Sequence, residues 1–248
     1  MKPMMVDMLS PMMTDALTDG STFNMLDYNP QNWYDAADDS TITEVLGAIS
    51  QWSDKSGFNR HATQGSGANQ ATYLLNEQNG KNVIDFDGSQ WFDLGTGLDW
   101  MATDANHTCF VVTQNDSYDN IYGAATPGQG DQSLHVGFQN AGNYRLNRWG
   151  NDTYPDIEAE YNVGQYNMLR YVWPVGSQGN VYQNGTPSGL EGPSKSTLSA
   201  MAGGGRIANV VGQPIFDGKI CEIVFLNYIA SAAQAAAIEA HLTAKWGV

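Results

Sequence analysis

The last stretch of this chain constrains its fold most. Residues 212–247 read GQPIFDGKICEIVFLNYIASAAQAAAIEAHLTAKWG. A turn at Phe216-Asp217-Gly218 opens into residues 219–227, apolar at odd and even positions alike, which predicts a strand buried on both faces. Alternation puts Ile220, Val224 and Leu226 on one side and Cys221, Ile223 and Phe225 on the other. A helix signal follows. Ser231 is the N-cap, and Gln234, three residues on, completes a capping box. Alanine, the strongest helix former, dominates the next turns. Ile238, Leu242 and Trp246 recur every fourth residue as one narrow apolar stripe. Lys245 suits the negative end of the helix dipole, and Gly247 supplies a left-handed cap. The chain therefore closes as a central strand and one short helix laid over a sheet.

Upstream, short apolar runs between polar turns predict the rest of that sheet. They are residues 81–86, 91–94, 108–114, 121–125, 165–173, 180–183 and 207–211, with a hairpin pairing 133–139 and 143–149. Asn184-Gly185 is the strongest turn dipeptide. This spacing predicts an all-β antiparallel sandwich with little helix, and 248 residues suit one large sandwich. Acidic residues outnumber basic ones 26 to 11. The net charge of −15 repels phosphate backbones and anionic lipid, which argues against nucleic acid or membrane insertion. No run has the apolar length of a membrane span. Asp7, Ser10 and Pro11 interrupt the start of the chain, so no secretory signal is expected. Cys109 and Cys221 fall in strands and are expected as free buried thiols, with a disulfide left open if the two strands are neighbours.

Three segments carry a family resemblance. One is Phe216–Asn227 followed by Ile238-Glu239-Ala240-His241-Leu242-Thr243-Ala244-Lys245-Trp246-Gly247. A second runs from Trp33 to Gln64, with Asp35-Ala36, Gln51-Trp52-Ser53-Asp54-Lys55-Ser56-Gly57 and His61-Ala62-Thr63-Gln64. The third is Val83-Ile84-Asp85-Phe86-Asp87-Gly88-Ser89. In this order they resemble the concanavalin A-like lectin/glucanase superfamily, and more narrowly the laminin-G-like modules of phage and bacterial proteins, which often end in an IE-x-x-L-x-x-K-W-G helix. The resemblance implies a concanavalin A-like antiparallel jelly-roll sandwich with a short C-terminal helix. It implies less about function, because this fold carries lectins, hydrolases and structural modules.

Lectins of this superfamily often hold calcium in loops of carboxylates and amides. No cofactor is required here, but calcium is left open, with Asp116, Asp119 and Asn120 as candidate ligands and Asp85, Asp87 and Asp217 as alternatives. The turns after Asp87 and Asp217 already account for those two. A sugar site needs an aromatic face beside directional polar groups. Tyr144, Arg145, Asn147, Arg148, Trp149, Asn151, Asp152 and Tyr154 form such a cluster in sequence, against the competing reading that aromatics alternating on a sandwich strand are core. Glu158 and Glu160 would share one face of a strand, at roughly the ~5–5.5 Å separation of a retaining glycosidase. The superfamily's glucanases carry a longer Glu-x-Asp-x-x-Glu pattern, which Ala159 and Tyr161-Asn162 break here, so no catalytic residue is expected. His61, His107, His135 and His241 lack paired zinc spacing, and neither a nucleophile elbow nor a phosphate loop is present.

Residues 1–26 differ from the rest. Six of the ten methionines lie at or before Met13. Met4, Met5, Leu9, Met12, Met13 and Leu17 form an apolar run with no periodic partner, which predicts an attachment or oligomerisation arm ahead of a sandwich of residues 27–248. The resulting expectation is a non-enzymatic bacteriophage virion protein, a head decoration or tail-associated fibre protein, made in the host cytoplasm without a signal peptide and placed on the virion surface. Its expected partners are sister subunits in a homo-oligomer, a trimer, together with other virion proteins and a host-surface glycan. The alternative is a bacterial extracellular glycan-binding module or weak glycoside hydrolase.

Overall fold

The computed structural model describes residues 22–102, 106–124, 133–140, 143–148, 163–175, 179–187 and 204–248. Among them the first strands are β1 (Asn32–Asp35), β2 (Ile42–Val45), β3 (Ala48–Trp52), β4 (Ala62–Thr63), β5 (Thr72–Gln78), β6 (Lys81–Asp87), β7 (Phe92–Gly95) and β8 (His107–Asn115). They are followed by β9 (Asn120–Ala124), β10 (Leu134–Asn140), β11 (Asn143–Arg148), β12 (Asn167–Trp173), β13 (Asn180–Gln183), β14 (Thr186–Pro187), β15 (Gly205–Ile207) and β16 (Asp217–Leu226), and the chain ends in helix α1 (Ala232–Trp246). The arm residues Met4, Met5, Leu9, Met12, Met13 and Leu17 lie outside the described residues.

Every pairing between these strands is antiparallel. Strands β6, β16, β8, β12, β13 and β14 form one layer, and β11, β10, β9, β15, β7, β4 and β3 the other. β5 turns the corner between them, meeting β3 at Thr72 and then running along β6. The main core fills the space between layers, with Val111, Tyr171, Ile223 and Phe225 from the first facing Trp52, Tyr122, Val136 and Phe138 from the second. A second core joins the back of the first layer, through Val83, Phe110, Val112, Val224 and Leu226, to α1. The result is an antiparallel β-sandwich with a short C-terminal helix, as the spacing of strands and turns predicts. The Asn184-Gly185 turn has both residues at positive φ, 48° and 77°, and links β13 to β14. That is the backbone this dipeptide favours.

Helix α1 is set as its sequence dictates. Ser231 and Gln234 make both halves of the capping box, and Gly247 closes the helix at φ 70°. Ala235, Ile238, Leu242 and Trp246 are its buried residues. Phe23–Leu26, assigned by sequence to the arm, belong with the sandwich. Met25 is buried in the second core, and the Phe23 ring stacks on His241 with centroids 4.0 Å apart.

One expectation about β16 is corrected. Simple alternation put Ile220 with Val224 and Leu226. Instead Ile220, Ile223 and Phe225 face the main core, while Cys221, Val224 and Leu226 face the helix. The register against β8 shifts between Ile220 and Glu222, so one extra residue breaks the alternation there. Cys109 and Cys221 thus fall in different cores, one on each side of the layer, and both are free thiols.

Candidate functional site

Two polar clusters stand out against these cores. The first lies under α1. On the helix side of β16, in step with Val224 and Leu226, Glu222 is fully buried, and its carboxylate accepts from Trp33 Nε1 at 2.8 Å, Trp246 Nε1 at 2.9 Å and Lys245 Nζ at 2.6 Å. Lys245 also reaches Asp35 Oδ1 at 2.6 Å, Lys55 reaches Asp35 Oδ2 at 2.9 Å, and Lys55 pairs with Asp38 at 2.7 Å. Burial, and then the neighbouring Asp35 carboxylate, push the Glu222 carboxyl upward, while Lys245 and Trp246 hold it down. Two carboxylates sharing one ammonium look like catalytic machinery. Yet Glu222 is fully buried, Asp35 is 4% exposed, and the oxygens of both are already engaged. A cavity of about 240 Å³ opens beside them, lined by Phe23, Trp33, Asp35, Lys55, His241 and Lys245. We read this cluster as the latch that fastens the helix to the sheet.

The second cluster lies on the outer face of β9, β10 and β11. Along these strands Leu134, Val136, Phe138, Tyr144 and Leu146 turn inward, so Arg145, His135 and Gly137 fall on the opposite face. The register between β10 and β9 shifts, pairing Val136 with Tyr122 but Gly137 with Asn120. Ile121 is the extra residue. It joins Tyr122 in the core, and Asn120 comes level with Gly137, which Arg145 faces from the other side. Gly137 has no side chain to stand between them, and a Cβ there would strike the backbone of Asp119 and Ile121. Across this gap Arg145 Nη1 donates to Asn120 Oδ1 at 3.2 Å.

That contact leaves donors over. Arg145 Nε and Asn120 Nδ2 are both buried without a hydrogen-bond partner. The assignment of the Asn120 amide is fixed by Arg145, since a guanidinium can only donate and must face the oxygen. Beside them His135 Nε2 lies 3.0 Å from Ser133 Oγ. Burial, and then the Arg145 charge, push the His135 imidazole down to about 4, so it is neutral near pH 7.

The residues singled out by sequence are placed as follows. Tyr144, expected as part of a sugar platform, is 1% exposed in the main core, and its hydroxyl donates to Gln183 Oε1 at 2.7 Å. Strand parity explains the correction, because inward positions on β11 alternate with Arg145. Arg148 closes β11, but its side chain, and the whole of Trp149, Asn151, Asp152, Tyr154, Glu158 and Glu160, lie outside the described residues. Of the calcium candidates, Asp116 Oδ1 accepts from Gln114 at 2.8 Å and Asp119 Oδ2 from Ser117 at 2.6 Å, while the Asn120 oxygen already faces the Arg145 cation. Among the described residues no three His, Cys, Asp or Glu side chains are grouped to hold a metal ion. The Asn120–Arg145 pair joins two residues that sequence reading assigned to different sites. The one signal for it was a glycine within the apolar alternation of β10. For Glu222 the signal was a lone acid in a strand otherwise apolar on both faces.

The architecture has parallels among solved structures. Domain 4 of AbnA, a GH43 extracellular arabinanase from Geobacillus stearothermophilus solved with arabinotriose, matches at TM-score 0.60 and 14% identity over 83% of this chain and 95% of that one. Trypanosoma rangeli sialidase in complex with sialic acid matches at 0.57 and 15% identity over 86% of this chain. This chain spans 33% of that sialidase. The CBM40 of the Ruminococcus gnavus IT-sialidase, bound to α2,3 sialyllactose, matches at 0.51 and 15% identity over 63% of this chain and 95% of that one. At such identities the likeness establishes the β-sandwich fold. No family model matches the sequence, and no curated protein does.

Proposed function

We propose that this protein is a non-enzymatic carbohydrate-binding sandwich that takes its glycan on the outer face of β9, β10 and β11. The observation that carries the reading is the pair of buried donors without partners, Arg145 Nε and Asn120 Nδ2. Buried polar groups are nearly always satisfied, and these two donors meet on one face of the sheet, where the partly exposed Arg145 side chain brings a cation to the surface. The reading gains support from AbnA domain 4 and the CBM40, sandwiches of the same kind that were solved with arabinotriose and α2,3 sialyllactose bound. A glycan array, read with wild-type protein and with Arg145→Ala, tests it. Wild type should give a restricted set of positive glycans, all lost in the variant. No binding on the array, or a set unchanged by the substitution, would sink the reading. The non-enzymatic part predicts no release of reducing sugar from arabinan, β-glucan, agarose or alginate.

The finer setting we propose is display on a bacteriophage surface, with Met4, Met5, Leu9, Met12, Met13 and Leu17 supplying attachment. Because Phe23 and Met25 pack on α1, the informative truncation removes residues 1–21 only. It should leave a folded monomer that no longer assembles; unchanged assembly would remove the arm from the argument.

A further inference from the structure

The sequence carries one turn twice. Gln-Asn-Gly stands at 78–80, between β5 and β6, and again at 183–185, between β13 and β14. Each is a two-residue hairpin link, pairing Gln78 with Lys81 and Gln183 with Thr186. The backbones match too, with φ of 49° and 69° at Asn79-Gly80 and of 48° and 77° at Asn184-Gly185. What differs is the use made of each amide. Asn79 Nδ2 donates to Lys245 O at 3.0 Å, beside Gln78 Nε2, which donates to Trp246 O at 2.6 Å. Those carbonyls belong to the last turn of α1, where no helical N–H follows to meet them. A Cβ on Gly247 would lie 3.3 Å from Asn79 Cγ, so this turn sits against the helix cap. At the second turn the oxygen is what counts. Asn184 Oδ1 accepts from Met168 N at 2.9 Å, and Asn184 Nδ2 donates to Asn167 Oδ1 at a longer 3.3 Å.

We propose that Asn79 is a site of spontaneous deamidation, and that its conversion unfastens the end of α1. Glycine presents the following N–H with no side chain around it, so Asn-Gly is the least hindered sequence for this reaction. The Gly80 nitrogen attacks Asn79 Cγ; a C–N bond forms, the Cγ–Nδ2 bond breaks, and ammonia leaves with the Gly80 proton. Water then opens the cyclic imide at either carbonyl, giving aspartate or isoaspartate at this position. Both products lack the donor that Lys245 O uses. Both set a carboxylate, which only accepts, against the negative end of the helix. Isoaspartate also adds a backbone atom to the turn that fixes the register of β5 on β6. Aspartate at 184, by contrast, keeps the oxygen that Met168 N uses, and Asn167 Oδ1 still receives Gln183 Nε2 at 2.9 Å. Cyclisation requires the carboxamide to leave its partner and turn onto the glycine nitrogen. Met168 and Asn167 hold both ends of the Asn184 amide, whereas among the described residues the helix holds only the nitrogen of Asn79.

The second turn serves as the internal reference for the test. Full-length protein is held in mildly alkaline buffer and digested at intervals, and mass spectrometry follows the conversion of amide to acid at both positions. In folded wild type Asn79 should convert about fivefold faster than Asn184, the worth of one further hydrogen bond. In denaturant the two rates should converge, since the local sequence is the same. Loosening the helix should speed Asn79 severalfold and leave Asn184 as it was. Lys245→Met does this from the buried cluster, and Gln78→Ala is the milder variant should the first fold poorly. Asn79→Asp should lower the melting temperature by about 2–4 °C and Asn184→Asp by less than about 1 °C, since the first loses a donor and the second keeps its acceptor. Asn184 converting as fast as Asn79 in the folded protein would overturn the proposal. A rate at Asn79 that the folded variants leave unchanged would also overturn it, because the helix would not be what restrains the amide. An Asn79→Asp protein that melts with wild type would do the same, because the conversion would unfasten nothing.

Discussion

The two polar clusters sit on opposite flanks of one sandwich and are built on opposite rules. Under α1, Glu222 and Asp35 are buried charges, and the donors around them converge until the carboxylate oxygens are engaged. On the β9–β11 face, a half-buried cation and a buried amide meet each other and leave two donors over. The second depends on a β-bulge, since the shift at Val136/Gly137 brings Asn120 level with Gly137, whereas Glu222 simply keeps the parity of Val224 and Leu226. The difference teaches how to sort buried polar groups by role. A network that closes on itself fastens structure. One that stays open keeps its interaction for a partner.

If the helix flank is a closed latch, breaking it should be the costliest change. Trp246→Ala removes a fully buried indole and also leaves Glu222 short of one donor. The expected loss is about 5 kcal/mol, the sum of cavity and unsatisfied-acceptor costs, read by denaturant unfolding. A loss below about 1 kcal/mol would mean that the helix is peripheral. Lys245→Met should follow at about 4 kcal/mol, because it takes the shared ammonium from two buried carboxylates and leaves Glu222 with no cation beside it. Adding Glu222→Gln to that variant should recover part of the loss. Were the double variant no better, the charge pairing would not be what holds the latch.

These predictions bear on how much was legible in the sequence. The helix, its caps and its stripe could be read directly, because Ser231, Gln234, Gly247 and the fourfold spacing act locally. So could the β10–β11 hairpin and the Asn184-Gly185 turn. The partners of Glu222 and of Arg145 could not. Trp33 lies 189 residues from Glu222, on a strand whose pairing no local pattern announces, and Asn120 lies 25 from Arg145 and meets it only after a bulge has changed strand parity. A bulge has no strong residue signature, so simple alternation misassigns Ile220; Tyr144 belongs to the core for a plainer reason, that inward and outward aromatics on a strand look alike until its parity is known.

Acid distinguishes the flanks by sign. The folded state keeps His135 neutral to about pH 4, whereas the unfolded chain takes up the proton near its ordinary value of 6.5. His135 therefore contributes stability that is complete above 6.5 and lost as pH falls from 6.5 to 4, on the order of 3 kcal/mol in all. Glu222 runs the other way. Its raised carboxyl makes the folded state the tighter proton binder, so its contribution falls as pH rises from the ordinary carboxylate range through the raised value. Asp38, held down by Lys55, gives up its share only as pH drops below its ordinary 3.8. Melting temperatures should decline between pH 6.5 and 4 in wild type and stay flatter in His135→Gln. An equal decline in the variant would show that His135 is not the group responsible.

The smallest expected effect on stability belongs to the residue expected to matter most for binding. Arg145→Met keeps an unbranched side chain of similar reach over Gly137 and removes the buried Nε that lacks a partner. It costs the contact to Asn120 Oδ1, worth about 1–2 kcal/mol as a hydrogen bond to a charged group, and it relieves a desolvated guanidinium of comparable cost. The two nearly cancel, so stability should move by less than about 1 kcal/mol while glycan binding is lost. That combination, a neutral fold and a silent site, is what an open network predicts and a closed one forbids. Should Arg145→Met instead unfold the protein as readily as Lys245→Met, Arg145 would be a structural fastening like the latch beneath the helix, and the contrast between the two flanks would collapse.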